Sequence, residues 1–517
     1  MKTSKLKAAR IITSMAFFAM FFWAFMALVK QSEYFTHTIG ALQFFPSYIE
    51  FTVTLFAGGG AGFILISVFT LLYGRAYCSF LCPLGALQDI IIRFRTKALR
   101  KPFSFDKARN ALKYGVLVSV ILVLITGSMY LLNLLDPFAN FGRIISDLAR
   151  PAYVYLNNAV AYALNTFDIY AVKPMSSHYL SFSVAAAVSG FLIVLSMMTL
   201  WKGRLYCNTL CPVGGILSLF AGASLYKLEI VKDRCTSCGL CEKACKSQCI
   251  DYKNHVIDFT QCVDCYNCVD SCKSGAVKYV KKLPVKKGEN YSEGRKNAIA
   301  AIAAGTGAAI LYLSGAEKLM ANLDGSLTGL GPDNIISPPG SRDVKRFMSK
   351  CIGCHMCVSN CPTKVLTPAD KQSGIDGIMQ PRMDYDASYC NYSCTVCSHI
   401  CPTSAILPLT VDEKKVTQIG KARFIENNCV VKTKNVQCTI CNEYCPTKAA
   451  SMVPYGTHGL EIPKVIEDLC IGCGACEHVC PARPKKAIIV EARTKHGLAR
   501  KPDATKQKAK ETKAFPF

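Results

Sequence analysis

Twenty-four of the 29 cysteines fall into six groups of four, and five of the groups read C-x2-C-x2-C-x3-C or a near variant. A four-iron cubane takes three thiolates from one tight loop and a fourth from elsewhere in the chain. In two-cluster ferredoxins the last cysteine of each group serves the neighbouring cluster. Six groups therefore imply six 4Fe-4S clusters in three pairs. Zinc also takes C-x2-C pairs, but rarely a third cysteine at x2 and a fourth at x3. Four thiols within eleven residues also suit a metal better than distant disulfide pairing.

Cys235, Cys238, Cys241 and Cys245 precede Cys262, Cys265, Cys268 and Cys272, a ferredoxin of about fifty residues. Reciprocal wiring has Cys272 completing the first cluster and Cys245 the second. Four more groups follow: Cys351, Cys354, Cys357, Cys361; Cys390, Cys394, Cys397, Cys401; Cys429, Cys438, Cys441, Cys445; and Cys470, Cys473, Cys476, Cys480. Each ends in Cys-Pro, at Pro362, Pro402, Pro446 and Pro481, where proline turns the chain away from the cluster. The third group is irregular, with eight residues between Cys429 and Cys438. In the first ferredoxin Lys246 and Lys273 replace the prolines; each is read either as a cation raising a cluster's potential or as a solvated surface lysine. Cys249 is left over and reads as a buried thiol.

The last four cysteines lie in a repeat. Gly74-Arg75-Ala76-Tyr77-Cys78 through Cys82-Pro83-Leu84-Gly85 matches Gly203-Arg204-Leu205-Tyr206-Cys207 through Cys211-Pro212-Val213-Gly214. A spacing of four puts both sulfurs of each copy on one face of a helical turn. If the copies pack about a pseudo-twofold axis, Cys78, Cys82, Cys207 and Cys211 converge into a four-thiolate site, a seventh iron–sulfur centre. Two redox-active thiol pairs are the alternative.

These elements must be held by a membrane. Uncharged stretches at 11–29, 51–73, 114–135 and 179–201 are each long enough to cross a hydrocarbon core of about 30 Å, and 297–315 is a weaker fifth. Basic residues number four in 1–10, eight in 74–112 and sixteen in 201–296, against one in 30–50 and three in 136–178. Positive charge stays inside, so the N-terminus and the first ferredoxin are expected in the cytoplasm, and the chain after the fifth helix in the periplasm. The alternative keeps 297–315 off the membrane and all six clusters inside. The net charge of +25 belongs to membrane-flanking loops and a basic tail and does not point to nucleic acid.

The expected fold is an α-helical membrane domain, two repeated hairpins plus a fifth anchor helix, carrying α+β bacterial-ferredoxin-like 4Fe-4S domains. Its divisions are a membrane domain at 1–222, a cytoplasmic ferredoxin at 223–280, a basic linker and anchor at 281–316, a periplasmic four-cluster domain at 317–490 and a disordered basic tail at 491–517. Candidate proton acceptors near the outer face are Asp136, in first place, and Glu33, Glu50, His37 and His178.

The paired G-R-x-Y-C-x3-C-P segments, four helices and two-cluster ferredoxin resemble the NapH family, a membrane quinol dehydrogenase component of periplasmic nitrate reductase systems. The anchor-like stretch and four Cys-Pro groups resemble its partner family NapG, although NapG's twin arginine is missing. The NosR and CcoG families share the membrane repeat. The resemblance implies a bacterial inner-membrane protein that oxidises menaquinol or another quinol and passes electrons to a periplasmic reductase or cytochrome; Asp136, placed after the third expected helix, is read either as the quinol's proton acceptor or as a solvated or capping residue. The resemblance also implies pairing of the last four groups as first with fourth and second with third. Cys480 then completes the Cys351 cluster and Cys361 the Cys470 cluster, while Cys445 joins Cys390 and Cys401 joins Cys429. A conduit from a cytoplasmic donor, or an accessory that matures a metalloenzyme, are the rival readings.

Overall fold

The computed structural model describes residues 5–28, 32–54, 60–98, 102–175, 181–281, 335–369, 377–456 and 459–501. His178, the 297–315 stretch and nearly all of the basic linker lie outside them.

The N-terminal half is helical: α1 (Lys5–Met26), α2 (Glu33–Ala41), α3 (Phe44–Thr54), α4 (Gly62–Tyr73), α5 (Tyr77–Phe80), α6 (Pro83–Ala98), α7 (Asn110–Ile125), α8 (Tyr130–Leu135), α9 (Pro137–Arg143), α10 (Arg150–Asn165), α11 (Phe182–Lys202), α12 (Leu205–Thr209) and α13 (Pro212–Ala221). Among the described residues two helices, α1 and α11, are long and apolar enough to cross a membrane. The other two expected spans are broken. The 51–73 stretch divides between α3 and α4, because three consecutive glycines end at Gly60, which sits at φ +76°. The 114–135 stretch divides into α7 and α8 at Gly127, at φ +83°.

Helix α1 ties the two ends of the molecule together. Near its start Lys7 Nζ meets Asp270 of the first ferredoxin at 2.7 Å. At its far end the backbone oxygen of Ala24 accepts from Asn360 Nδ2 of the four-group domain at 3.3 Å. Seventeen residues separate the two contacts, about 25 Å at 1.5 Å per residue. The two cysteine-rich domains therefore sit at opposite ends of α1.

The first ferredoxin closes β1 (Tyr226–Ile230) on β4 (Val277–Lys281) and β2 (Ile250–Asp251) on β3 (Val256–Ile257), all antiparallel. The C-terminal domain pairs β5 (Leu366–Pro368) with β6 (Pro381–Met383), β7 (Thr417–Phe424) with β10 (Ile488–Leu498), and β8 (Ala450–Tyr455) with β9 (Leu460–Val465). Strand β10 corrects the expected tail, since residues 491–498 are ordered. Their charged side chains face outward, with Glu491 bridging Arg423 at 2.8 Å, while the backbone pairs with β7. Composition registers the charge and misses the ladder.

Candidate iron–sulfur sites

The two C-x3-C-P copies are bound to each other through their arginines. Arg75 Nη2 donates to the backbone oxygen of Cys207 at 2.9 Å, and Arg204 Nη1 donates to that of Cys78 at 3.0 Å. Both guanidinium groups are wholly buried. A Cβ on Gly85 would strike the Cys78 carbonyl and Arg204, and one on Gly214 would strike the Cys207 carbonyl and Arg75. The repeat's final glycine thus makes room for the opposite copy's arginine. Cys78, Cys82, Cys207 and Cys211 are all buried and lie within reach of one another's charge. The quartet expected from the repeat is brought together.

The first glycines of the repeat face the first ferredoxin. Gly74 and Gly203, at φ +78° and +61°, sit where a Cβ would meet Asp264 and the Lys246 carbonyl respectively. Arg75 also donates to Thr260 O at 2.8 Å, and Arg204 N to Lys246 O at 3.0 Å. Lys246 itself is buried and its charge bears on Cys265, so it is a cation beside a cluster site and not a solvated surface lysine. Its Nζ meets Asp89 of α6 at 2.5 Å, where Arg204 at 2.6 Å and Arg10 at 2.5 Å also converge. Burial opposes ionisation of Asp89, but the three cations outweigh it and hold the carboxyl well below its usual range. Burial pulls the Lys246 amine down to about 8, with Asp89 opposing.

Within this ferredoxin Cys272 lies with Cys238 and Cys241, and Cys245 with Cys262, Cys265 and Cys268 around one cavity. Cys249 lines the same cavity, its sulfur 3.5 Å from that of Cys245. The Cys262 group faces the repeat, whereas Cys238 of the Cys235 group is exposed to solvent.

In the C-terminal domain the fourth ligands differ from those the resemblance implied. Cys401 is the outside thiol whose charge bears on Cys351, Cys354 and Cys357, and Cys361 the one that bears on Cys390, Cys394 and Cys397. Cys445 joins Cys470, Cys473 and Cys476. Cys480 completes a cavity lined by Cys429, Cys438 and Cys441. The groups thus pair first with second and third with fourth, because each reciprocal pair folds as one sequence-local unit. The cavities at the Cys262 and Cys429 groups, each lined by at least four thiols, fit 4Fe-4S clusters.

The Cys351 loop is clamped to the helical half. Arg143 Nε donates to Gly353 O at 2.8 Å and Nη2 to Ile352 O at 3.1 Å. Asn133, its amide nitrogen turned toward them, reaches Cys351 O and Ile352 O at 3.1 Å. Inside the loop His355 pairs with Asp147 at 2.7 Å. Sequence reasoning missed this clamp; an Arg and an Asp in an apolar stretch were the available signal. Between the clamp and the quartet lies Asp136, 1% exposed, which caps α9 by accepting from Ala139 N at 2.7 Å. Its charge reaches Tyr77, Tyr206 and Cys354. Of the other outer-face candidates, His37 and Glu50 meet at 3.3 Å, and Glu33 bears on Cys394.

Further out, Cys390 N donates to Cys473 O at 2.9 Å, joining the two reciprocal pairs. The sites therefore follow one line: the Cys235 group, the Cys262 group, the quartet, the Cys351 and Cys390 groups, the Cys470 group and the Cys429 group.

Residues 55–102 and 184–229, which hold the two repeats, match the family of 4Fe-4S binding domains, and residues 350–405 and 435–483 match the 4Fe-4S dicluster domain. The chain is 32% identical to the methylamine utilization ferredoxin-type protein MauM of Methylobacillus flagellatus, covering 28% of this chain and 64% of that protein. It is 29% identical to ferredoxin-type protein NapF of Escherichia coli, covering 34% and 99%. Ferredoxin-type protein NapG of the same organism is 26% identical, covering 28% and 65%. No solved structure matches the chain. The chain is an iron–sulfur electron-transfer protein of the ferredoxin type, related to these proteins.

Proposed function

We propose that the chain is a multi-pass membrane conduit that carries electrons singly between a cytoplasmic face and an acceptor on the periplasmic face. The line of cysteine sites carries this reading. It runs from the exposed Cys238 through the buried quartet to the outer domain. Clusters held at these sites supply one-electron steps. The chain's residues hold the line together: Arg75 and Arg204 at the quartet, Asp89 and Lys246 at the inner joint, Arg143, Asp147 and Asn133 at the outer joint.

A membrane setting is supported by the outward apolar side chains of the helical half. Ile12 on α1, Leu65 on α4, Leu122 on α7 and Trp201 on α11 are exposed. Tyr155 and Tyr162 on α10 are exposed as well and suit a membrane–water boundary. Placement of the cysteine-rich domains at opposite ends of α1 accords with opposite sides. On this reading the quartet is a seventh iron–sulfur centre beside six ferredoxin clusters, which the match of both repeats to a 4Fe-4S family supports.

A second reading follows the NapH-like and NapG-like likeness: a quinol enters at the outer face and the electrons go only outward, to a nitrate-reductase-like system. The observation favouring it is the buried Glu50 beside His37, next to α2, which packs through Gly40 on Pro402 of the Cys401 loop. That pair suits quinol protons better than Asp136, whose carboxylate is committed to capping.

Anaerobic paramagnetic resonance of the purified chain separates the two. Reduced-cluster signals within seconds of adding a reduced soluble ferredoxin, and none with a menaquinol analogue, are the expected result. Rapid signals with the quinol analogue alone establish the second reading instead.

A further inference from the structure

The line of sites ends at the Cys429, Cys438, Cys441 and Cys480 group, and that end is built differently from every other. The eight residues between Cys429 and Cys438 form a short helix, Val430–Lys434, and a left-handed turn at Asn435. Residues 432–437 are exposed without a break. Gln437 pins the loop by accepting from Glu461 N at 3.1 Å. The loop lies over the thiol cavity, which Val430 helps to line, and it places Val436 in solvent at 57% exposure. Tyr444, one residue before Cys445, is 51% exposed.

The surrounding charge is positive. Lys434, Lys448 and Lys485 are exposed, and Arg483, also exposed, donates to Cys480 O at 2.8 Å. Glu426 is already taken by Lys432 at 2.9 Å. Glu443 and Glu461 also lie at this rim, but Lys432, Lys434, Lys448, Lys485 and Arg483 outnumber the acids, and a small apolar centre within a mainly positive rim is the form of a transient interface that steers its partner electrostatically. The chain's own remaining segment, 502–517, is itself basic, with Lys506, Lys508, Lys510 and Lys513, and charge disfavours its lying there.

We infer that the Lys432–Gln437 loop, with Tyr444, is the docking face for an acidic, soluble electron carrier, which meets the chain at the Cys429 group. The inference rests on the conduit reading for its purpose, but its test does not need electrons to cross the membrane half.

The test uses the full chain in detergent, loaded with iron, and an acidic flavodoxin as the probe. Dissociation constants at low salt and carbodiimide crosslinks mapped by mass spectrometry are the readouts. Crosslinks from flavodoxin carboxylates to Lys434 and Lys448 are expected. Lys434→Glu with Val436→Asp should weaken binding at least tenfold with iron and sulfide content unchanged, and Lys253→Glu on the first ferredoxin should leave it as it was. Unchanged affinity in the loop variant overturns the inference. So do crosslinks confined to the first ferredoxin, crosslinks between two copies of the chain, or an internal link from Asp503 or Glu511 to Lys434. Failure of the conduit reading would show separately, as absence of outer-domain reduction by a cytoplasmic donor.

Discussion

Arg75 and Arg204 exchange partners across the repeat: each guanidinium is spent on the backbone of the other copy's first cysteine, Cys207 for Arg75 and Cys78 for Arg204. Neither half can form its C-x3-C-P turn in its native surroundings without the other. Lysine keeps the charge but loses the fork, so it cannot serve Asn208, Thr260 O and Cys207 O together as Arg75 does. Arg75→Lys and Arg204→Lys are each expected to lose about four irons per chain while the six ferredoxin groups stay loaded. Iron and acid-labile sulfide counts decide; a full count in both variants removes the seventh centre.

Asp89 is the single anion among three buried cations, Arg10, Arg204 and Lys246. Asp89→Asn leaves them uncompensated, and breaking a buried network in this way costs about 3–5 kcal/mol. The joint between α6 and the first ferredoxin should loosen first. Hydrogen exchange is expected to rise in residues 240–265 and at the 74–82 and 203–211 turns, while 351–361 keeps its protection. Equal loss of protection at both ends of α1 would mean that Asp89 stabilises the whole molecule and not this joint.

Features local in the chain were legible before folding. The six cysteine groups and the duplicated G-R-x-Y-C-x3-C-P are local spacings, and they recur as gathered thiols and as a four-thiol quartet. What depended on partners far along the chain was not. The burial of Lys246 against Asp89 is one such feature, since the two stand 157 positions apart. Helical spans were overread because hydropathy does not register the glycines before α4 or at Gly127. Strand β10 was hidden by its charged outer face. The fourth-ligand assignment failed for the same reason, since any C-terminal Cys-Pro thiol fits the spacing and only loop packing selects Cys401 over Cys480.

The wiring can be tested by non-additivity. Cys351→Ser with Cys401→Ser strikes one site twice and should cost about four irons, whereas Cys351→Ser with Cys480→Ser strikes two and should cost about eight. The opposite wiring, in which Cys480 completes the Cys351 site, exchanges these two results. Iron per chain after anaerobic reconstitution distinguishes them without reference to activity.

His496 on β10 provides a pH test of the outer domain. Burial holds its imidazole down at about 4, with Asp343 partly opposing and Arg493 reinforcing the effect, and Ser337 Oγ lies 2.9 Å from Nε2. The folded chain therefore binds this proton less readily than the unfolded chain, whose histidine titrates near 6.5. Stability from this group is complete above about pH 6.5 and declines as pH falls toward 4, by about 2 kcal/mol on reaching pH 5. Denaturant melts of the outer domain should show that decline between pH 7 and 5. His496→Gln, which keeps a polar group opposite Ser337 and has no proton to gain, should flatten it. An equally steep decline in the variant would assign the acid sensitivity to other groups, the thiolates first.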